Sequence, residues 1–414
     1  MNLSKNAKEV LEFRYLRDGE TPEDMVNRVA HKAAEFETDY EKWLSAYREI
    51  ISDLRFIPNT PNLINAGRGN QLSACFVLEI EDSIESIFGT LGRAAEVHKS
   101  GGGTGFDFSQ IRPADSGVAG SGGIASGPVS FMHIFNEATK QMKQGGVRRG
   151  ANIAILRVDH PDILEFIQCK NVEGKLENFN ISVAITDEFM KAYGYGDRYP
   201  LIFNGKVYRE VKPKEILAAI SNCIHKNGEP GIIFIDQINE RNPLRAIETI
   251  ASTNPCGEQP LPTNGSCNLG HLNLARYWNP NTMVVNRDML KADIITAVRF
   301  LDQTVDSSTY PDQLIKYEAE HTRRIGLGIM GLADLFLLAG ITYGSDESLA
   351  FTNKLMAFIA EKANETSTLL AERYGYYDGY KPDLGLPKRR NGCLLTVAPT
   401  GSCSIIADCS SGCE

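Results

Sequence analysis

The chain has 414 residues, 42% of them hydrophobic, and a formal net charge of −9 at neutral pH. That is apolar material for two or three ordinary domains or one large barrel, and the acidic balance supplies no basic field for a nucleic-acid polymer. The longest apolar stretch, 325–341, contains Asp334 and several glycines, whereas a membrane span needs ~20 apolar residues. No signal-peptide pattern opens the chain, and its nine cysteines carry no pair of Cys-x-x-Cys motifs. Together these features predict a cytoplasmic protein with reduced thiols, no structural disulfide framework, no membrane contact and no metal.

The N-terminal sequence predicts helices. Thr21-Pro22-Glu23-Asp24 combines a capping hydroxyl, a first-turn proline and acids at the positive helix end. Met25, Val29, Ala33 and Phe36 then mark one buried stripe, and Tyr40, Trp43, Leu44, Tyr47 and Ile51 a second. From about Phe56 the pattern changes to short strands, glycine loops and helices. Glycine is densest in 100–105 and 117–127. Pro128 opens a helix with Met132, Phe135, Thr139 and Met142 on one face. Leu201–Tyr208 predicts a hairpin, because Asn204-Gly205 suits a type I′ turn. The segments 181–186, 231–236 and 394–398 predict buried strands, and 345–374 one or two long helices. Strands alternating with helices argue for α/β architecture. The expected organisation is a helical segment over 1–55 followed by a catalytic barrel over 56–414.

The segment most loaded with chemistry is Asn254-Pro255-Cys256-Gly257-Glu258. An amide, a thiol and a carboxylate stand two apart, so an extended chain would point all three to one side. Cys267 follows eleven residues after Cys256, and Cys75 lies far upstream in Ser73-Ala74-Cys75-Phe76. These groups are the equipment for radical chemistry on a sugar. Reducing a ribose at C2′ needs a hydrogen-atom abstractor at C3′, a base for the 3′-hydroxyl, a proton donor for the departing 2′-hydroxyl, and two electrons. A thiyl at Cys256 suits the first role and Glu258 the second. Asn254 suits orientation of the sugar oxygens, and Cys75 with Cys267 suits delivery of proton and electrons.

On these residues the chain resembles ribonucleotide reductase catalytic subunits, most closely the adenosylcobalamin-dependent class II enzymes. The resemblance implies a ten-stranded α/β barrel of the ribonucleotide-reductase and glycyl-radical type, and it assigns the five residues above the same roles. It also implies that Pro399-Thr400-Gly401-Ser402, between an apolar strand and a helix, holds the substrate phosphates. Thr60 is expected on a substrate-contact strand, with Ser73, Ala74 and Gly103 also beside the substrate. Two loops, Ile111–Gly122 and Gln144–Gly150, resemble effector-binding segments. Asp82, Arg112, Gln144 and Arg148 are the residues expected to meet a deoxynucleoside triphosphate or ATP effector.

Adenosylcobalamin is implied by the resemblance alone, since no Asp-x-His-x-x-Gly motif occurs. A thioredoxin- or glutaredoxin-type reductant is the implied redox partner, and a homodimer through the N-terminal helices is compatible with their open faces. Relative to the family, the chain is expected to lack an N-terminal ATP cone. It is also expected to be incomplete at its C-terminus, so that a completing C-terminal chain would be a partner. Alternatives are a class I large subunit needing a radical-generating small subunit, and a non-catalytic fragment of a split reductase. His321–Gly328 with Met330-Gly331 reads as structural, small residues letting a helix pack closely. Asp159-His160-Pro161-Asp162 reads as a capped loop rather than a metal site.

Overall fold

A computed structural model describes residues 1–117, 123–144 and 148–414, with no account of the side chains of 143–149. Two compact units form, Met1–Ala74 with Ser266–Glu414, and Cys75–Gly265. Among the described residues no helix is long and apolar enough to cross a membrane.

The first unit opens with the helices Lys5–Arg14, Pro22–Ala34 and Tyr40–Ser52. Thr21 caps the second as its sequence predicts: its hydroxyl accepts the Asp24 N–H, and the Asp24 carboxylate accepts the Thr21 N–H. Met25, Val29 and Ala33 are buried, but Phe36 lies past the helix end and is 55% exposed. The helix therefore stops short of the last residue of the apolar pattern. The strand Phe56–Pro58 pairs antiparallel with Ser266–Asn273, which pairs parallel with Ile325–Met330. Every residue of Ser266–Asn273 is buried. The two longest helices of this unit are Arg287–Ser307 and Asp346–Tyr374, the latter one unbroken element.

One expectation here needs correction. The 394–398 segment makes one bridge, Leu395 to Leu327, rather than a full strand. The glycines of 326–328 lie in the strand Ile325–Met330. A side chain at Gly328 would meet His271 Nδ1 at 2.5 Å, so this glycine makes room for the imidazole.

Buried charge ties the helices together. Arg299, on Arg287–Ser307, forks onto the Glu37 carboxylate at 2.5 Å through two nitrogens. Tyr47 donates to the same carboxylate at 2.7 Å, and the guanidinium stacks 4.2 Å from the Trp43 ring centroid. Arg323 similarly spans Asp302 and Asp306.

The second unit is a parallel sheet in the order Cys75–Leu78, Gly103–Asp107, Asn152–Arg157, Phe179–Ile185, Gly231–Phe234. Intervening helices include Ile84–Lys99 and Gly127–Gln141. Parallel neighbours require such crossovers, which is the physical basis of the α/β reading. Phe106, Phe108, Phe135 and Phe179 pack edge-to-face or tilted at 5.1–6.3 Å. The hairpin forms between Tyr199–Phe203 and Lys206–Val211, with Asn204 and Gly205 both at positive φ. The 231–236 segment departs from expectation. Its strand ends at Phe234 with alternate residues exposed, and Ile235 begins a helix. It is an outer strand with a half-solvated face, since its only strand partner among the described residues is Phe179–Ile185.

Two outcomes follow. Arg299→Met leaves the Glu37 carboxylate buried without its cation. It should lower unfolding free energy in urea by about 3–5 kcal/mol, and Glu37→Leu in the same chain should restore most of that loss. His271 is fully buried, and burial depresses its pKa to about 4. Between pH 6.5 and 4 the unfolded chain therefore binds one proton more than the folded chain. Stability from this group is complete above pH 6.5 and falls on acidification by about 1.4 kcal/mol per pH unit. Urea titrations of His271→Gln should show a slope shallower by one proton across that window.

Candidate active site

The segment 254–259 joins the strand Ile250–Thr253 to its antiparallel partner Pro260–Pro262. It is a tight turn and not the extended chain its spacing suggested. Gly257 adopts φ +86°, the left-handed region that glycine enters without strain, and its N–H bonds the Asn254 carbonyl at 3.0 Å. The turn is pinned from inside by the Gln259 N–H on Asn254 Oδ1 at 3.0 Å and the Asn254 N–H on the Gln259 carbonyl at 3.2 Å. From outside, Asn180 on Phe179–Ile185 donates its amide to the Pro255 carbonyl at 2.7 Å. Sequence reasoning passed over Asn180; the one available signal was an amide side chain inside a mostly apolar strand.

Reversal of the chain sets Asn254 and Glu258 against Cys75, the first residue of the sheet. Asn254 Nδ2 donates to Cys75 Sγ at 3.1 Å, and that thiol lies 3.8 Å from Glu258 Oε1. Amide, thiol and carboxylate thus share one buried corner of the second unit. Cys75 is 2% exposed and Asn254 3% exposed. Cys256 stands at the turn itself and is exposed. Gly103 packs under the turn, where an added Cβ would meet Pro255 Cγ at 2.8 Å.

In the first unit, Cys267 is buried in Ser266–Asn273 with its thiol on the Asn268 carbonyl at 3.3 Å. Its own carbonyl accepts the Ala74 N–H at 3.1 Å, while the Ser73 N–H bonds Gln71 Oε1 at 2.6 Å. Thr60 is the first residue of the helix Thr60–Asn65 rather than part of a strand, because Asn59 caps that helix through the Asn62 N–H. Its hydroxyl meets Tyr15 Oη at 3.0 Å. Pro399 leads into Thr400 at φ +54°, and the helix Gly401–Ala407 follows. Thr400 Oγ1 accepts the Gly412 N–H at 2.8 Å, and Arg14 reaches Ser402 Oγ at 3.4 Å.

The expected effector residues divide into two groups in the second unit. Arg112 binds Asp82 twice, through Nε at 2.7 Å and its backbone N–H at 3.1 Å. A cavity of about 400 Å³ opens beside Asp82, lined also by Glu79, Asp107, Gln110, Asn204 and Thr263. Burial pushes the Asp107 carboxyl above the ordinary carboxylate range despite its hydrogen bonds to Ser109. Gln144 and Arg148 are register partners in a two-stranded ribbon, Lys143–Gln144 with Arg148–Arg149. The parts of the expected effector loops at 118–122 and 145–147 lie outside the described residues. The 159–162 loop is capped: His160 Nε2 pairs with the Ile111 carbonyl and Nδ1 accepts the Asp162 N–H.

Comparison with known proteins gives a consistent result. Residues 73–384 match the family model "Ribonucleotide reductase, barrel domain", and residues 1–71 match "Ribonucleotide reductase, all-alpha domain". A vitamin B12-dependent ribonucleoside-diphosphate reductase of Thermoplasma acidophilum is 47% identical over 90% of the chain and 49% of its own length. One from Mycobacterium tuberculosis is 41% identical over 100% of the chain and 62% of its own length. A ribonucleoside-diphosphate reductase subunit alpha of Chlamydia trachomatis is 27% identical over 87% of the chain. The chain thus spans about half to three-fifths of the B12-dependent relatives from Thermoplasma and Mycobacterium. With the barrel model covering most of the sequence and the all-alpha model the remainder of its N-terminal part, the chain belongs to the ribonucleotide reductase family.

Proposed function

We propose that this protein reduces ribonucleoside diphosphates to 2′-deoxyribonucleotides for DNA synthesis, through a thiyl at Cys256. The observation that carries the reading is the corner where Asn254, Cys75 and Glu258 meet at 3.1 and 3.8 Å. A reducing thiol beside a carboxylate and an orienting amide is what loss of a 2′-hydroxyl as water requires.

Adenosylcobalamin is the cofactor this reading calls for, as the B12-dependent names of the relatives suggest. The residues present fit it in one respect: Cys256 is exposed, and nothing lies within 4 Å of a side chain built at Gly257. That leaves room for a bulky group at the turn, next to Cys256 and Gly257. When bound, the cofactor supplies the one-electron chemistry that turns the Cys256 thiol into a thiyl.

The chain's own residues do the rest in this proposal. Cys256 takes the C3′ hydrogen atom and later returns it. Glu258 accepts the 3′-hydroxyl proton, and Asn254 orients the sugar oxygens while holding Cys75 in place. Cys75 protonates the departing 2′-hydroxyl. Cys75 and Cys267 together give up two electrons and end as a disulfide, which a thioredoxin- or glutaredoxin-type protein reduces. Thr60, Ser73, Ala74, Gly103 and the 399–402 segment contact the substrate, the last at its phosphates. Asp82 with Arg112, and the ribbon bearing Gln144 and Arg148, take a nucleotide effector. Because binding effects are reciprocal, substrate and effector each raise or lower the other's affinity by one common factor.

Anaerobic assay of the expressed protein with a ribonucleoside diphosphate, a dithiol and adenosylcobalamin tests this. Product is expected without any small subunit; dependence on a separate radical-generating subunit would move the protein to class I. Cys256→Ala should give no product with an unchanged melting temperature, and normal turnover in that variant would refute the assignment. Glu258→Gln should lower kcat by roughly 10²–10⁴-fold. Cys75→Ser should stop multiple turnover.

A further inference from the structure

The strand Gly103–Asp107 presents two chemically different faces. Gly103 and Gly105 lie against the Thr253–Pro255 segment so closely that an added Cβ would stand 2.8 Å from Pro255 Cγ and 1.7 Å from the Thr253 carbonyl oxygen. Thr104, between them, points the other way, as strand alternation requires. Its hydroxyl donates to Asn152 Oδ1 at 2.8 Å and meets His98 Nε2 at 2.9 Å. The Asn152 amide donates to Thr139 Oγ1 at 3.0 Å, and the Thr139 hydroxyl donates to the Phe135 carbonyl at 2.8 Å.

The directions are mutually determined. Because Thr104 gives its one proton to Asn152, it accepts from His98, which is therefore the Nε2–H tautomer. A chain of donors then runs from His98 through Thr104 and Asn152 to Thr139. All four residues are at most 4% exposed. Burial holds the imidazole neutral, with a pKa lowered to about 4, so the polarity of the chain is stable at physiological pH.

The far end of this network meets the base of the ribbon formed by Lys143–Gln144 and Arg148–Arg149. Thr139 is in the last turn of the helix that precedes the ribbon, and Gly150 follows it directly. A Cβ at Gly150 would stand 2.7 Å from Thr139 Cγ2 and 3.0 Å from His98 Nδ1. The ribbon's base is therefore seated on the polar network, and the network is seated on the strand that carries the Cys256 turn. A close-packed interior passes a displacement along such a path because neither glycine contact has slack to absorb it.

We infer that Thr104 is a positioning residue, the hub of a buried His98–Thr104–Asn152–Thr139 network that fixes the Cys256 turn relative to the base of the ribbon formed by Lys143–Gln144 and Arg148–Arg149. Movement of the ribbon reaches the Cys256 thiol through this hub. The inference rests on Cys256 being the working thiol, but its test requires no turnover, so the two fail separately.

The test is the iodoacetamide alkylation rate of Cys256 in the intact chain, followed peptide by peptide by mass spectrometry. Cys223, buried in the helix Pro213–Asn227 of the same unit, reports global opening. Thr104→Val keeps the shape and removes the hydroxyl. It should change the Cys256 rate by roughly threefold or more and leave Cys223 at its wild-type rate. Thr104→Ser should restore the wild-type Cys256 rate. Gly150→Ala, which pushes on His98 from the ribbon side, should shift Cys256 in the same direction. In the double variant Thr104→Val/Gly150→Ala, the two effects should be less than additive. An unchanged Cys256 rate in both single variants would overturn the inference. So would parallel acceleration of Cys223, or a serine variant that behaves like valine.

Discussion

The contact on which the site depends is steric. The Thr253 carbonyl would stand only 1.7 Å from a Cβ at Gly105, and the Pro255 ring 2.8 Å from one at Gly103. Real Cβ atoms never come so close to a backbone oxygen, so this approach exists only because glycine occupies both positions. It lets the turn 254–259 lie directly on the sheet, which puts the Asn254 amide on the Cys75 thiol at the start of the neighbouring strand. A larger residue at either glycine would lift the turn and pull amide and carboxylate away from that sulfur together.

The thiols differ in exposure in a way that matches their proposed uses. Cys256 is exposed, whereas Cys75 and Cys267 are buried. A thiol that must exchange a hydrogen atom with an external group needs access. Thiols that deliver protons and electrons only to a bound sugar are better kept from oxidants and from one another's competitors, since thiol reactivity follows access as well as ionisation. The Asn254 donor on Cys75 also constrains that sulfur's direction, so the delivery proposed for it is a matter of placement rather than of diffusion.

Polar groups in the interior do related work elsewhere. Arg299 with Glu37, and Arg323 with Asp302 and Asp306, hold helices by charge pairs at 2.5–2.9 Å. Such pairs gain little net stability over apolar packing, yet they penalise any arrangement that separates them. The His98–Thr104–Asn152–Thr139 chain acts by the same logic without charge, since its donors are matched to fixed acceptors and a shifted element would orphan several at once.

Much of this was legible in the sequence. The Thr21 cap, the Asn204-Gly205 hairpin and the α/β alternation rest on local rules of capping, turn stereochemistry and strand–helix patterning, which a short window of sequence contains. Phe36, the 231–236 strand, the single Leu395 bridge and the helical start at Thr60 were misread because burial and pairing depend on partners far along the chain. The sequence alone determined which groups are available, and that glycine is concentrated around 100–105 and at 257. Only the tertiary structure decided that residues 254–259 reverse instead of extending. It also decided that Asn180 and Gly105 hold the turn, and that Thr104 faces His98 and Asn152. Those outcomes depend on which surfaces come within a few ångströms of each other, and contact across 75 or 148 residues of chain leaves no periodicity to read.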